Sequence, residues 1–180
     1  MSDKLRHAIF IFLEKCLRWC IQPRLRASLL ELFGAKIGRN VRVSECQFIN
    51  LRRGFSNLAL ADDAYIGPGC LIDLENKVIL GRGVTLSPRV TILTHSDPGS
   101  FHGSPLVTEF PVMSAPVRIG AYCWIGAGST VLSGVEIGER TVVGAMALVK
   151  DDLPGAGLYG GIPARKIRPI GEPDARPSQR

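Results

Sequence analysis

From Met113 to Pro154 the chain repeats every six residues, and that period leaves few folds open. A large apolar residue recurs as Met113, Ile119, Ile125, Val131, Ile137, Val143 and Val149. Four residues after each stands Val117, Cys123, Ser129, Val135, Thr141, Ala147 or Leu153, mostly small or β-branched. Gly120, Gly126, Gly138 and Gly144 directly follow the large residue. An α-helix of about 3.6 residues per turn cannot hold a six-residue stripe on one face. Simple alternation does not explain glycine returning at one phase. A three-sided coil does: each hexad is one short side, its large residue points inward, and glycine eases the turning backbone. The pattern therefore predicts a parallel β-helix of hexapeptides.

The register continues upstream through Leu80, Leu86 and Ile92, through Leu60, Ile66 and Ile72, and at the start through Ile37, Val43 and Ile49. Three hexads close one turn, so residues 37–154 predict about five coils with a break near 95–112. At ~4.8 Å between strands the prism would stand ~25 Å tall. The phase slips between Ile49 and Leu60 and between Ile72 and Leu80, which predicts bulged corners.

Ahead of the repeat, residues 4–21 read as an amphipathic helix with Leu5, Ile9, Phe12, Cys16 and Trp19/Cys20 on one face and Glu14–Arg18 as an i,i+4 pair. Pro23 stops it, and a shorter helix, Arg24–Phe33, ends at Gly34. Residues 1–53 carry 11 Lys/Arg and 4 Asp/Glu, whereas the remainder is nearly neutral. Two readings of this basic segment stay open. It can cap the strand edges at the end of the prism, or rest on an anionic membrane through Phe10, Phe12, Trp19 and its arginines. Nucleic acid is disfavoured, because no recognised binding motif accompanies the charge. The organisation expected is a helical segment over 1–35, a β-helix over 36–170 and a polar, disordered tail over 171–180.

Five cysteines without a C-x-x-C pair point to free thiols in a reducing compartment. No cleavable signal peptide or membrane span is evident, so the expected location is the cytoplasm, with peripheral contact at the inner face of the membrane possible through the helix.

The chemistry has few candidates. His7 lies in the first helix, while His95 and His102 bracket the irregular loop. His95 ends a coil, where the scaffold can hold an imidazole beside a cleft to take a proton; the plainer reading is a loop histidine bonded to backbone. Counting the slip, Asp73 stacks near residue 93 and Glu75 near 95. Asp73, Glu75 or, from the loop, Asp97 could orient His95 or hold a sugar hydroxyl. Three converging histidines, needed for the zinc site of a γ-class carbonic anhydrase, are not available here.

Four stretches in order, Pro88-Arg-Val-Thr-Ile-Leu-Thr-His95-Ser-Asp, Val117-Arg-Ile-Gly-Ala-Tyr-Cys-Trp-Ile-Gly-Ala127, Gly144-Ala145 and Gly161-Ile-Pro-Ala-Arg165-Lys-Ile-Arg168, resemble the hexapeptide-repeat acyltransferases. The resemblance is to the branch of maltose, galactoside and colanic-acid O-acetyltransferases. It implies a left-handed parallel β-helix, a homotrimer with sites between prisms, acetyl-CoA as donor, no metal, and a saccharide or glycoconjugate acceptor in polysaccharide biosynthesis. By the same resemblance His95 matches the catalytic base and Trp124 an aromatic lining the acceptor or thioester site. Ala127 matches the position whose N–H faces the thioester oxygen. Gly126 and Ala145 match small residues along the pantetheine, and Arg165 and Arg168 match basic groups near the nucleotide phosphates. Lys150 stands where a small hydroxyl residue is usual. Trp124 could instead cap the prism wall, and the arginines could be a solvated edge. An N-acyltransferase on an amino sugar and a non-catalytic β-helix scaffold are the alternative functions.

Overall fold

The computed structural model describes residues 3–171; residues 172–180, nearly all of the expected tail, lie outside the described part. Five complete three-sided coils, at 36–49, 58–73, 78–92, 117–131 and 136–149, stack strand on parallel strand. A partial sixth follows, where Gly157–Gly160 lies parallel to Val142–Val143 and antiparallel to Arg165–Pro169.

The six-residue period sets the register. On the first face Leu60, Leu80, Ile119 and Ile137 lie over one another. On the second, Val43, Ile66, Leu86, Ile125 and Val143 do the same. The third carries Ile72, Ile92, Val131 and Val149. All of these are buried, as is the small position from Val117 to Leu153. Each fully buried Val, Leu or Ile contributes about 1.5–3 kcal/mol, so the repeat is itself the core. The buried hydroxyls are satisfied: Ser129 Oγ donates to Gly144 O at 2.8 Å and Thr141 Oγ1 to Gly138 O at 2.7 Å.

The glycines after the large residue serve close packing rather than turn geometry. None of Gly120, Gly126, Gly138 and Gly144 has a positive φ. A Cβ on Gly126 would stand 2.5 Å from Ala145 N, and one on Gly120 2.7 Å from Glu139 N. The corner of one coil rests on the backbone of the next.

The repeat departs from its spacing at two places, Met113 and the end of the first coil. Met113 is not in the core; it is 54% exposed and pairs antiparallel with Ser96. In the first coil Phe48, not Ile49, stacks on Ile72, and Ile49 is only half-buried. The aromatic ring reaches Phe55 edge-on, with centroids 5.6 Å apart, which draws residue 48 inward. The slip after Ile49 is accordingly larger than a bulge. It is an excursion through a short 3-10 turn, Leu51–Arg53, that buries Leu51 and Phe55.

Helix α1, Asp3–Arg18, and helix α2, Pro23–Leu32, cover the first coil. The face expected to pack is the outer one: Leu5, Phe12 and Trp19 are exposed. The inner face carries Phe10, Glu14 and Leu17. Phe10 packs edge-on against Phe55 at 5.9 Å, so it is unavailable to a membrane. Glu14 Oε1 accepts from Phe48 N at 3.2 Å and its Oε2 from Arg18 Nη2 at 2.9 Å. Arg26 of α2 is buried, donating to Leu17 O at 2.9 Å, Val43 O at 2.8 Å and Cys20 O. α2 closes as a Schellman motif, with Gly34 N donating to Glu31 O and Ala35 N to Leu30 O. Capping of the prism end is thus what the inner faces of the helices do.

Candidate active site

Each coil turns three corners, and the corner after the third face departs from the repeat. In the second coil Asp73 ends its strand and turns inward with no exposed surface. A buried carboxylate needs several donors, and five surround this one. Oδ1 accepts from Asn50 Nδ2 at 2.8 Å and from Glu75 N at 3.0 Å. Oδ2 accepts from Thr94 N at 2.9 Å, His95 N at 3.1 Å and His95 Nδ1 at 2.6 Å. Burial pushes the Asp73 carboxyl up, but the bonds from His95, Asn50 and the backbone outweigh it and hold it below the usual carboxylate range.

An ionised Asp73 requires the proton of neutral His95 on Nδ1, which leaves the Nε2 lone pair free to accept. The imidazole is 29% exposed, so Nε2 has access to a substrate. Its backbone is held as well: His95–Ser96 pairs with Met113–Ser114, closing the loop at its base. Beneath it, Thr94 Oγ1 donates to Asp73 O at 3.1 Å, and Ser133 Oγ donates to Thr94 O at 2.9 Å.

The other acidic and histidine candidates stand apart. Glu75 contributes its N–H, not its carboxylate. Asp97 caps its own turn, accepting from Gly99 N at 2.8 Å and from Ser100 N and Oγ at 2.6 Å. His102 is exposed and lies edge-on to Phe101 at 4.6 Å. Asp73 has no surface with which to meet an acceptor and no oxygen lacking a donor, so its geometry suits positioning His95.

Asn50 and Ser133 join the site without having been singled out from sequence. Asn50 has φ 58°, a left-handed conformation in which asparagine is enriched; that is a turn signal with no functional content. Its stacking beneath Asp73 becomes visible only after the register of the first coil is corrected.

A second constellation occupies the corner after the second face. Gly126 and Ala127 lie there in the fourth coil and Ala145 in the fifth. The N–H groups of Ala127 and Ala145 make no hydrogen bond with a described residue. Trp124 precedes them on the outer wall, 55% exposed, its Nε1 donating to Ser87 Oγ at 2.8 Å. Above them the terminal hairpin bears Arg165 and Arg168, with Arg165 Nη1 3.2 Å from Asp151 Oδ2. Lys150 Nζ reaches Asp151 Oδ1 at 3.1 Å, which makes it an ion-pair partner in that turn.

The His95 and Gly126–Ala145 groups therefore lie on different edges of one prism, with the third face between them. Among the described residues no three His, Cys, Asp or Glu side chains converge as a metal site. Burial raises the thiols of Cys46 and Cys123, and that of Cys70 to about 11, which leaves these three poor nucleophiles.

A prism of parallel hexapeptide coils, with a buried aspartate holding a partly exposed histidine on one edge and small residues baring N–H groups on another, defines a hexapeptide-repeat transferase. Residues 116–151 match the family described as bacterial transferase hexapeptide (six repeats). The chain is 35% identical over 146 residues to WcaF of Escherichia coli, assigned as a colanic acid biosynthesis acetyltransferase, covering 81% of this chain and 75% of that protein. It is 29% identical over 153 residues to the galactoside O-acetyltransferase of Escherichia coli, covering 83% and 70%. The fold is shared with a maltose O-acetyltransferase from Clostridium difficile, with a TM-score of 0.77, 22% identity and coverage of 94% and 89%. A hexapeptide-repeat acetyltransferase from Vibrio cholerae complexed with acetyl-CoA superposes with the same score, identity and coverage. The chain belongs to the bacterial hexapeptide-repeat transferase family, as an acetyltransferase.

Proposed function

We propose that the chain transfers an acetyl group from acetyl-CoA to a hydroxyl of a saccharide or glycoconjugate, in polysaccharide biosynthesis at the cytoplasmic side. The observation that carries this is the 2.6 Å contact between Asp73 Oδ2 and His95 Nδ1, which frees Nε2 to act as base. Nε2 takes the hydroxyl proton as the oxygen attacks the thioester carbonyl carbon. The oxyanion is met by the Ala127 N–H. The C–S bond then breaks and the thiolate recovers the proton from Nε2. Transfer is direct, in keeping with the raised thiols of the buried cysteines. Gly126 and Ala145 leave room for the pantetheine against the coils, with Arg165 and Arg168 toward the nucleotide phosphates. Relatives named for galactoside and maltose acetylation support a sugar acceptor.

Because the two constellations occupy different edges, the working site is proposed to form between chains of a homotrimer, His95 of one facing Gly126 and Ala127 of the next. Light scattering that gives a monomer at micromolar concentration would end that assignment. At acetyl-CoA well below the raised KM, where each variant alone is slow, mixing His95→Ala chains with Arg165→Ala/Arg168→Ala chains should restore activity, since each interface joins two different chains. The outer face of α1, with Leu5, Phe12 and Trp19 exposed, is proposed to rest on anionic membrane. The reaction is tested by thiol release from acetyl-CoA against a panel of sugars, nucleotide sugars and amino sugars. Release only with amino sugars would replace O-acylation by N-acylation.

A further inference from the structure

The edge that holds His95 has a definite lower end. His95 stands on the third coil, Asp73 on the second and Asn50 on the first, with Asn50 Nδ2 3.4 Å from His95 Nδ1. The chain then enters the turn Leu51–Arg53, which buries Leu51 and turns Arg52 and Arg53 outward. The first turns of α1 cross this point, where Arg6 Nη2 donates to Arg52 O at 3.3 Å. Between them lies a cleft of about 410 Å³ lined by Lys4, Arg6, His7, Arg52 and Arg53. No carboxylate is among the residues of 4–171 that line it. Several other surface arginines are matched singly by a carboxylate: Arg39 and Arg82 share Asp62, Arg118 meets Glu136, and Arg165 has Asp151. Lys4, Arg52 and Arg53 have no ion pair with a described residue. His7 Nδ1 is buried in the same place without a hydrogen-bond partner among the described residues.

A neighbouring cleft of about 320 Å³ shares His7 and runs on to Asn50. The cationic cleft thus adjoins one that is lined by Asn50, the neighbour of His95, on the side of His95 facing the first coil. The small-residue corner proposed for the donor lies in the fourth and fifth coils, with its arginines beyond them. Like charges gathered in a concave wall repel one another until an anion occupies it. Guanidinium groups lining one cleft, as Arg52 and Arg53 do, suit the oxygens of a phosphate.

We infer that this cleft binds a phosphate or diphosphate group carried by the acceptor. The acceptor would then be a phosphorylated saccharide, whose charged group sits among Lys4, Arg52 and Arg53 while its hydroxyl reaches His95. This deepens the acetyl-transfer reading and rests on it for the reaction, though not for the binding.

The test begins with calorimetric titration of inorganic diphosphate into the full chain. Wild type and His95→Ala should bind alike, and Arg52→Ala/Arg53→Ala should bind about tenfold more weakly or worse, the effect of removing charge-assisted hydrogen bonds. Both arginine side chains are exposed, so the double variant should keep the wild-type melting temperature; Lys4→Ala supplies an independent variant. In steady-state transfer the double variant should raise KM for a sugar 1-phosphate while leaving kcat, and KM for the unphosphorylated sugar, unchanged. No diphosphate binding, or binding indifferent to Arg52 and Arg53, overturns the proposal. So does loss of binding to phosphatidylglycerol vesicles with unchanged KM for the sugar phosphate, which would make the source a lipid headgroup. If diphosphate binds through the arginines but no sugar releases thiol, the transfer reading fails and the phosphate site stands.

Discussion

Asp73 and His95 sit one coil apart, and the carboxylate of the first grips both the ring and the backbone N–H of the second, Oδ2 lying 2.6 Å from Nδ1 and 3.1 Å from N. Ring orientation and tautomer are thereby set together. His95→Ala should lower kcat by roughly 10²–10⁴-fold, the range for losing a positioned base. Asp73→Asn, which no longer selects the Nδ1–H tautomer, should lower kcat about 10²-fold or more with KM for acetyl-CoA unchanged. His102→Ala should cost far less. Steady-state rates with an identified acceptor decide it, and an inactive His102→Ala beside a nearly normal His95→Ala would move the base to the loop.

The same carboxylate makes the fold sensitive to acid. Its folded value lies below its ordinary one, so its stabilisation is complete above about pH 4 and is lost as pH falls through the folded value. The melting-temperature gap between wild type and Asp73→Asn should be constant near neutrality and shrink in acid. A gap that stays the same down to about pH 2.5 would mean that the charge of Asp73 contributes nothing to stability.

Which parts of this were readable in advance follows from how regular each part is. Ile119 to Val149 repeat without interruption, and there period alone gives register and core. Met113 has the right spacing and the wrong partner, because the loop before it returns as a hairpin and not as a coil. On α1 both faces are apolar, so composition could not choose between Leu5–Phe12 and Phe10–Leu17; Phe55, some forty residues later, made the choice. His95 and Asp73 were visible as candidates because a count of slips puts Asp73 near residue 93 and Glu75 near His95; the side chain that turns in to the imidazole is that of Asp73, not Glu75. Asn50 was not, since its neighbours in space come from an irregular corner that carries no period.

Not every glycine of the repeat should respond alike. A Cβ at Gly120 would stand 2.7 Å from Glu139 N, whereas one at Gly144 would meet its nearest atom, Tyr159 O, at 3.4 Å. Gly120→Ala should therefore cost about 1–3 kcal/mol, as overpacking against backbone does, and Gly144→Ala much less. Thermal denaturation of the two variants compares them, and equal losses would return the glycines to a role in turning.

At the other end of the stack, Arg165→Ala/Arg168→Ala should raise KM for acetyl-CoA more than it lowers kcat, since contacts with a remote nucleotide are alike in ground and transition states. Loss of kcat at unchanged KM would place these arginines at the reacting centre.

The outer row of α1 should give weak, salt-sensitive binding to anionic vesicles, each basic residue near the surface adding about 1 kcal/mol. Phe12→Glu/Trp19→Glu should abolish co-sedimentation without loss of fold, because both side chains are exposed. Unaltered co-sedimentation would leave α1 as a cap only.

The loop between Ser96 and Met113 departs and returns through adjacent, paired residues. A detour whose ends meet adds nothing to the count of coils above or below it. Its length and sequence can therefore change at small entropic cost, about 0.6 kcal/mol for each doubling, while the residue at its mouth stays where it is. The segment that leaves the stack beside His95 can be exchanged for another, and a different surface grafted there, without re-registering a single strand.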